Sequence, residues 1–260
     1  MTENCSLRID SAGIATLTLN RRHRHNALNQ VICAEIMERL QTVEDDPRVR
    51  VVVLASTGPC FCTGMDLGWL HSATDSHAVA RTIAEVMWRL HHLPKPTLAV
   101  VNGFVVGGGV GLVACCDIAV ASRTSNFRFS EVRLGLIPSV IAPYIIRAIG
   151  QHQAKRYFLT AETFDSIQAL RLGLVHEVTD PDQLDSVARG LALEIIKGGP
   201  GAIRQTLELF QEIANSRFDQ KLKELTVQRT AKIGLGDEAR EGVCAFMEKR
   251  LATWIDPREQ

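Results

Sequence analysis

Residues 103–117 read "GFVVGGGVGLVACCD". Gly107, Gly108 and Gly109 stand in a row, with a fourth glycine at 111, directly ahead of an apolar segment. Each glycine inside a helix costs about 1 kcal/mol relative to alanine. The run therefore fits a helix start, where backbone turns sharply or approaches another group closely. A buried strand leads into the glycines and a buried helix leaves them.

The same alternation continues on both sides. "IATLTLN" at 14–20 alternates in strand fashion and is rich in β-branched residues. Within 29–46, Val31, Ile32, Ile36, Leu40 and Val43 fall near one helical face, and acidic residues end the run before Pro47. "VRVVVLAS" at 49–56 is continuously apolar, as in a strand covered on both faces. A loop, "TGPCFCTGMD", separates it from a helix with Ile83, Val86, Met87 and Leu90 on one stripe. "LPKPTLAVVNG" gives a proline-bounded turn and a second buried strand, and "DIAVAS" follows the glycine helix as a third. Strands alternating with helices up to about residue 180 predict a layered α/β core. Residues 181–256 are almost wholly helical in pattern, with Val243, Phe246, Met247 and Leu251 at amphipathic spacing. The expected division is a core over 1–198 and a helical region over 199–260.

At 260 residues, 46% hydrophobic and 22% charged, the chain has the make-up of a globular protein with one sizeable core. Twenty-nine basic residues balance 29 acidic ones, which argues against a general nucleic-acid or membrane-surface field. The seven cysteines are irregularly spaced and odd in number, and "MTENCSLRID" lacks an apolar leader core, so a reducing cytoplasm is expected. No apolar run reaches the length of a membrane span. "CFC", "CC", "RRHRHN" and "HH" lack zinc-ligand spacing, and no metal site is expected.

The first N–H groups of a helix lack partners, and the macrodipole adds partial positive charge there. A strand, glycines and a helix start thus form an anion-seeking arrangement. "GGGVG" lies mid-chain, does not match G-x-G-x-x-G, and is not followed by Gly-Lys-Ser/Thr, so neither dinucleotide nor P-loop binding fits. The remaining use is an oxyanion hole, which binds charge that develops on a substrate oxygen.

Six segments then carry a resemblance. "NRRHRHNALN", "CFCTGMDL", "NGFVVGGGVGLVACCDIAVAS", "FRFSEVRLGLIPS", "LTAETFDSIQALRLGLVHEV" and "EGVCAFMEKR" occur in the order and spacing of the crotonase (enoyl-CoA hydratase/isomerase) superfamily. The resemblance covers essentially the full chain. It implies an α/β fold of crotonase type, a spiral of ββα units with a helical C-terminal region. It implies an acyl-CoA thioester as substrate, with no separate cofactor, and a trimer or a dimer of trimers. The oxyanion donors would be the N–H groups of Met65 and Gly108, with Gly107 beside them, and Glu131 would be the catalytic carboxylate. His25, Ala27, Leu28, Asp66 and Leu67 would surround the CoA moiety, with Arg24 nearby. Phe246 and Lys249 match positions that contact CoA from a neighbouring subunit.

One departure bears on the reaction. Typical hydratases of this family carry a second glutamate two residues after the glycine triplet, where this chain has Gly111. Either Glu131 does both jobs, another group assists, or the reaction is isomerisation or decarboxylation; an idle acyl-CoA-binding relative is a further alternative. "IPSVIAPY" replaces a glycine-rich segment, and with its neighbours it looks most like hydratases of 3-methylglutaconyl-type and isohexenylglutaconyl-type CoA esters. On that reading Gly111 opens room for a substrate carboxylate, which Ser139, Tyr144 or Arg133 would receive.

Overall fold

The computed structural model describes residues 3–256. Residues 1–2 and 257–260, the outer ends of the two expected regions, lie outside them. The chain opens with a hairpin, β1 (Cys5–Ile9) and β2 (Ile14–Leu19), followed by α1 (Gln30–Asp45). Three strand pairs come next, each divided between two sheets. These are β3 (Val51–Ser56) with β4 (Cys60–Cys62), β5 (Thr97–Val101) with β6 (Phe104–Val106), and β7 (Ile118–Ser122) with β8 (Asn126–Arg128). Helices α2 (Leu67–Ser72) and α3 (Ser76–His91) follow the first pair, and α4 (Gly108–Cys115) follows the second. After the third pair come α5 (Ala142–Ile149), α6 (Gln151–Thr160), β9 (Thr163–Asp165), α7 (Ser166–Leu172) and β10 (Glu177–Thr179). Four helices complete the described chain: α8 (Leu184–Ile196), α9 (Pro200–Ala214), α10 (Gln220–Gly234) and α11 (Asp237–Glu248).

The larger sheet has the order β1-β2-β3-β5-β7-β10 and the smaller β4-β6-β8-β9. Among the strand pairs of the described residues, only β1/β2 and β8/β9 are antiparallel. Each turn thus lays one strand in the large sheet and the next in the small one, which is the ββα spiral. The central strands of the large sheet, β3, β5 and β7, are almost continuously apolar because both faces are covered. One face meets the main core, where α1, α3 and α4 pack with Phe61, Phe127 and Phe129. The other meets α8, whose Leu184, Ala188, Ala192 and Ile196 pack on Val51, Val53, Leu98 and Val100.

Local chemistry sets the helix starts. Asn29 caps α1 by accepting from the Ile32 N–H at 3.1 Å, and Asp75 caps α3 by accepting from His77 and Ala78. The α3 stripe of Ile83, Val86, Met87 and Leu90 is buried as expected. On α1 the stripe is narrower than expected, because Val31 is 54% exposed. In α9 and α10 no residue is buried, and in α11 only Ala245 is. The expected stripe of Val243, Phe246 and Met247 faces outward, and Leu251 lies beyond the end of α11. Among the described residues no helix is long and apolar enough to cross a membrane, and no three His, Cys, Asp or Glu side chains gather as a metal site.

Candidate active site

The site forms where the small sheet brings two loops together. β4 and β6 pair in parallel, so the segment after Cys62 and the segment after Val106 emerge side by side. The first runs through Gly64 to Met65; the second runs through Gly107 into α4. Gly64 has φ of 81°, and a Cβ on it would fall 2.8 Å from the Val106 carbonyl and 2.9 Å from the Gly108 nitrogen. Gly107 has φ of 51°, and a Cβ on it would fall 2.8 Å from Glu131 Oε1. Both backbone conformations favour glycine, and at Gly64 the neighbouring backbone also leaves no room for a side chain. At Gly109 a side chain would run into the Cys62 carbonyl, so α4 lies directly against β4.

This close approach leaves two donors free. The Leu28 N–H donates to Gly64 O at 2.7 Å and the Asp66 N–H to Leu28 O at 2.8 Å. That pairing brackets Met65 without using its own N–H. Gly107 is anchored from the other side, its N–H donating to Arg128 O at 2.9 Å while its carbonyl accepts from Val110 and Gly111. Gly108 then supplies the first N–H of α4, for which helix geometry offers no partner.

Glu131 opens a 3-10 turn, Glu131–Leu134, capped by Gly135 in the left-handed region. Its backbone carbonyl accepts from Leu136 N–H at 3.0 Å, which holds the turn closed. Oε2 is buried with no hydrogen-bond partner in the protein. Burial pushes the Glu131 carboxyl above its ordinary value, and the N–H groups of Glu131 and Ser130 offset this only in part.

A cavity of about 300 Å³ joins these groups, lined by Gly64, Met65, Gly107, Gly108 and Glu131. Leu67 and Leu70 of α2, Val79 and Ile83 of α3, and Ile137 and Ile141 make much of its apolar wall. Ser139 lines it as expected. None of its described lining residues is Lys, Arg or His.

Gly111 and Tyr144 do not line this cavity, contrary to the sequence expectation. A Cβ on Gly111 would run into Ile141 Cγ2 and stand 3.0 Å from Ile141 Cβ and 3.2 Å from Met87 Cε. The space beside Gly111 is filled, not opened. Tyr144 turns to His91, ring centroids 5.2 Å apart, and burial pushes its hydroxyl up to about 12. Arg133 points away too, toward the Thr160 carbonyl at 3.4 Å.

The expected CoA residues separate into groups. His25 is exposed, with φ of 51°, and its carbonyl accepts from Thr63 at the cavity edge. Arg24 is exposed beside it. Ala27 and Leu28 are buried, so Leu28 supports the two glycine loops from beneath instead of offering a surface. Asp66 caps α2, accepting from Gly68 and Trp69, and Leu67 is 49% exposed. Phe246 and Lys249 are exposed on α11 and at its C-cap, and neither lines the cavity.

Three features are absent from the sequence expectation: α2, the cavity-facing role of Ile83, and Ile141 as the group that fills the place beside Gly111. Asp66 followed by an apolar stretch was the available signal for α2. No signal within the sequence links position 111 to position 141.

The chain matches the family model described as enoyl-CoA hydratase/isomerase over residues 10–257. It is 33% identical over 260 residues to a mevalonyl-coenzyme A hydratase of Aspergillus fumigatus, an alignment covering 97% of this chain and 95% of that one. A crotonyl-CoA hydratase of Syntrophomonas wolfei is 30% identical over 246 residues, covering 93% and 94% of the two chains. The crystal structure of an enoyl-CoA hydratase from Shewanella pealeana superposes with a TM-score of 0.92 at 35% identity, covering 96% of each chain.

Proposed function

Because the chain belongs to the enoyl-CoA hydratase/isomerase family, within the crotonase superfamily, we propose that this cavity holds an enoyl-CoA thioester and that the enzyme adds water across its 2,3 double bond. The N–H groups of Met65 and Gly108 receive the thioester oxygen. Attack at C3 forms an enolate whose charge gathers on that oxygen, and one lost donor in such a site costs roughly 10²–10³ in rate. Glu131 takes the proton of the attacking water and returns it to C2, so one carboxylate serves both transfers. Burial raises its pKa, which favours holding the proton between the two transfers. These steps need no redox cofactor or metal.

The observation that carries this reading is the unpartnered Glu131 Oε2, buried beside Gly107 in the cavity that Met65 and Gly108 line. The apolar, cation-free lining favours a neutral acyl chain, and a β-branched one accords with the relative named for mevalonyl-coenzyme A. It gives a glutaconyl-type carboxylate only the hydroxyls of Thr63, Ser76, Ser130 and Ser139 as partners.

Isomerisation is the second reading, and Ile141 favours it. With the Gly111 position sealed by an apolar side chain, no second carboxylate holds a water there. Glu131 alone can move a proton from C2 to C4 of a 3-enoyl thioester. A panel of crotonyl-CoA, 3-methylcrotonyl-CoA, 3-methylglutaconyl-CoA and a 3-enoyl-CoA, read by conjugated-thioester absorbance and product mass, tests both. Loss of absorbance with gain of one water marks hydration, and gain of absorbance at constant mass marks isomerisation. No change with any substrate contradicts both readings.

The helical region over 199–260 is proposed to mediate assembly into a trimer or a dimer of trimers. Phe210, Phe218, Phe246 and Met247 are 68–100% exposed in the single chain, and closed symmetry would cover such a surface. A neighbour's Phe246 and Lys249 would then complete the CoA site, with His25, Arg24 and Leu67 at its other edge. A cytoplasmic setting accords with six buried thiols.

A further inference from the structure

We propose that Arg21 is a positioning residue that aims the Met65 N–H at the thioester oxygen, acting through Asp66. The role rests on the oxyanion reading above. Arg21 Nη1 donates to Asp66 Oδ2 at 2.7 Å across 45 residues of chain, and to the Ala27 carbonyl at 3.0 Å. Both side chains of the pair are nearly closed to solvent, at 11% and 15% exposure. Asp66 is the residue after Met65. Its Oδ1 accepts from Gly68 and Trp69 at 3.0 and 3.2 Å, and its N–H donates to Leu28. Every polar group of Asp66 on the Met65 side is therefore tied, and Arg21 holds the one carboxylate oxygen that the α2 cap leaves over.

The other end of this strut is equally fixed. The Arg21 N–H donates to Asn26 Oδ1 at 2.8 Å, and Asn26, fully buried, donates through Nδ2 to Thr57 O and Cys60 O at 2.9 Å each. The turn with the exposed Arg22, His23 and Arg24 is thereby locked to the start of β4, the strand that leads to Met65. An oxyanion donor works by direction and distance, and an error of about 1 Å can cost on the order of 10² in rate. Both bonds leave Nη1, whose two N–H groups are fixed in the guanidinium plane, whereas the three N–H groups of an ammonium rotate freely.

Arg21→Met, Arg21→Lys and Asp66→Asn test this in the full-length protein. Asparagine keeps the α2 cap but loses the ion pair. The readouts are kcat, KM, thermal melting, and the absorption band of a bound aryl-enoyl-CoA whose band moves red when its carbonyl is polarised. Expected are a fall in kcat of at least about tenfold, a KM changed less than about threefold, and a smaller red shift, with Arg21→Lys intermediate. A folded Arg21→Met protein with the full red shift, or one that changes KM alone, overturns the role. If Arg21→Met does not fold, Asp66→Asn decides in its place: a smaller red shift with reduced kcat supports the role, and a full red shift or a change in KM alone overturns it. A wild-type protein that leaves the band unshifted overturns the oxyanion site itself, and the role with it.

Discussion

The side chain of Ile141 occupies the space into which a side chain at Gly111 would grow. A Cβ on Gly111 would lie 3.0 Å from Ile141 Cβ and closer still to Cγ2, and both residues are buried. Inserting even one methyl into such a place costs about 1–3 kcal/mol. Gly111→Ala should therefore lower the melting temperature, and should lower it less when introduced into an Ile141→Ala background, where the obstructing side chain is gone. For the same reason Gly111→Glu alone should destabilise the protein without creating a second catalytic carboxylate. Additive melting losses in the Gly111→Ala/Ile141→Ala pair would count against the packing.

The two central glycines should differ in their response to substitution. A methyl on Gly107 enters contact with Glu131 Oε1 at 2.8 Å from a backbone with φ of 51°. A methyl on Gly108 meets Gly64 Cα at 3.4 Å and Leu28 Cδ1 at 3.5 Å, which is ordinary contact. Gly107→Ala should displace the carboxylate and cut kcat by at least about tenfold, whereas Gly108→Ala should fold normally and lose less. Steady-state kinetics of the two variants decide it, and the reverse ranking would mean that Glu131 does not depend on Gly107.

Burial holds the Glu131 proton more tightly in the folded protein than in the unfolded chain, whose carboxyl titrates near 4.5. Stability from this difference is full below that value and is lost as pH rises through the higher, folded pKa. Glutamine cannot ionise, so Glu131→Gln should melt above wild type at about pH 8 and approach it toward about pH 4. Melting curves across that range provide the check, and a gap that widens on acidification would contradict the sign.

Assembly should depend on the outward apolar face of the last helices. Phe246 is 86% and Met247 76% exposed in the single chain. Light scattering should find a multiple of the chain mass for the wild type, and Phe246→Asp should shift it toward monomer with a higher KM for acyl-CoA. A stable, fully active wild-type monomer would remove both the assembly and the shared CoA site.

How far the sequence could be read depended on length and on distance along the chain. The run "VRVVVLAS" announced β3 because a strand buried on both faces must be continuously apolar, and the α3 stripe survived because sixteen residues show their period. β4, β6, β8 and β9 have three residues each, too few to display alternation, and their pairing is set by neighbours. The glycine triplet stood out because only a sharp turn or a close approach makes such a run tolerable, whereas Met65 and Glu131 were singled out by the family resemblance. The Gly111 position was misread, because its meaning lies in Ile141, thirty positions on, and sequence gives identity without occupancy. The Arg21–Asp66 strut was hidden in the same way, by a separation of 45 positions along the chain.

The most direct test of the proposed chemistry is turnover of a β-branched enoyl-CoA by wild type and Glu131→Gln, with thioester binding measured alongside. Glutamine keeps the size and hydrogen bonding of the side chain but cannot carry the proton. A single-carboxylate mechanism predicts a fall of roughly 10²–10⁴ in kcat with binding retained. Wild-type turnover by Glu131→Gln would contradict it.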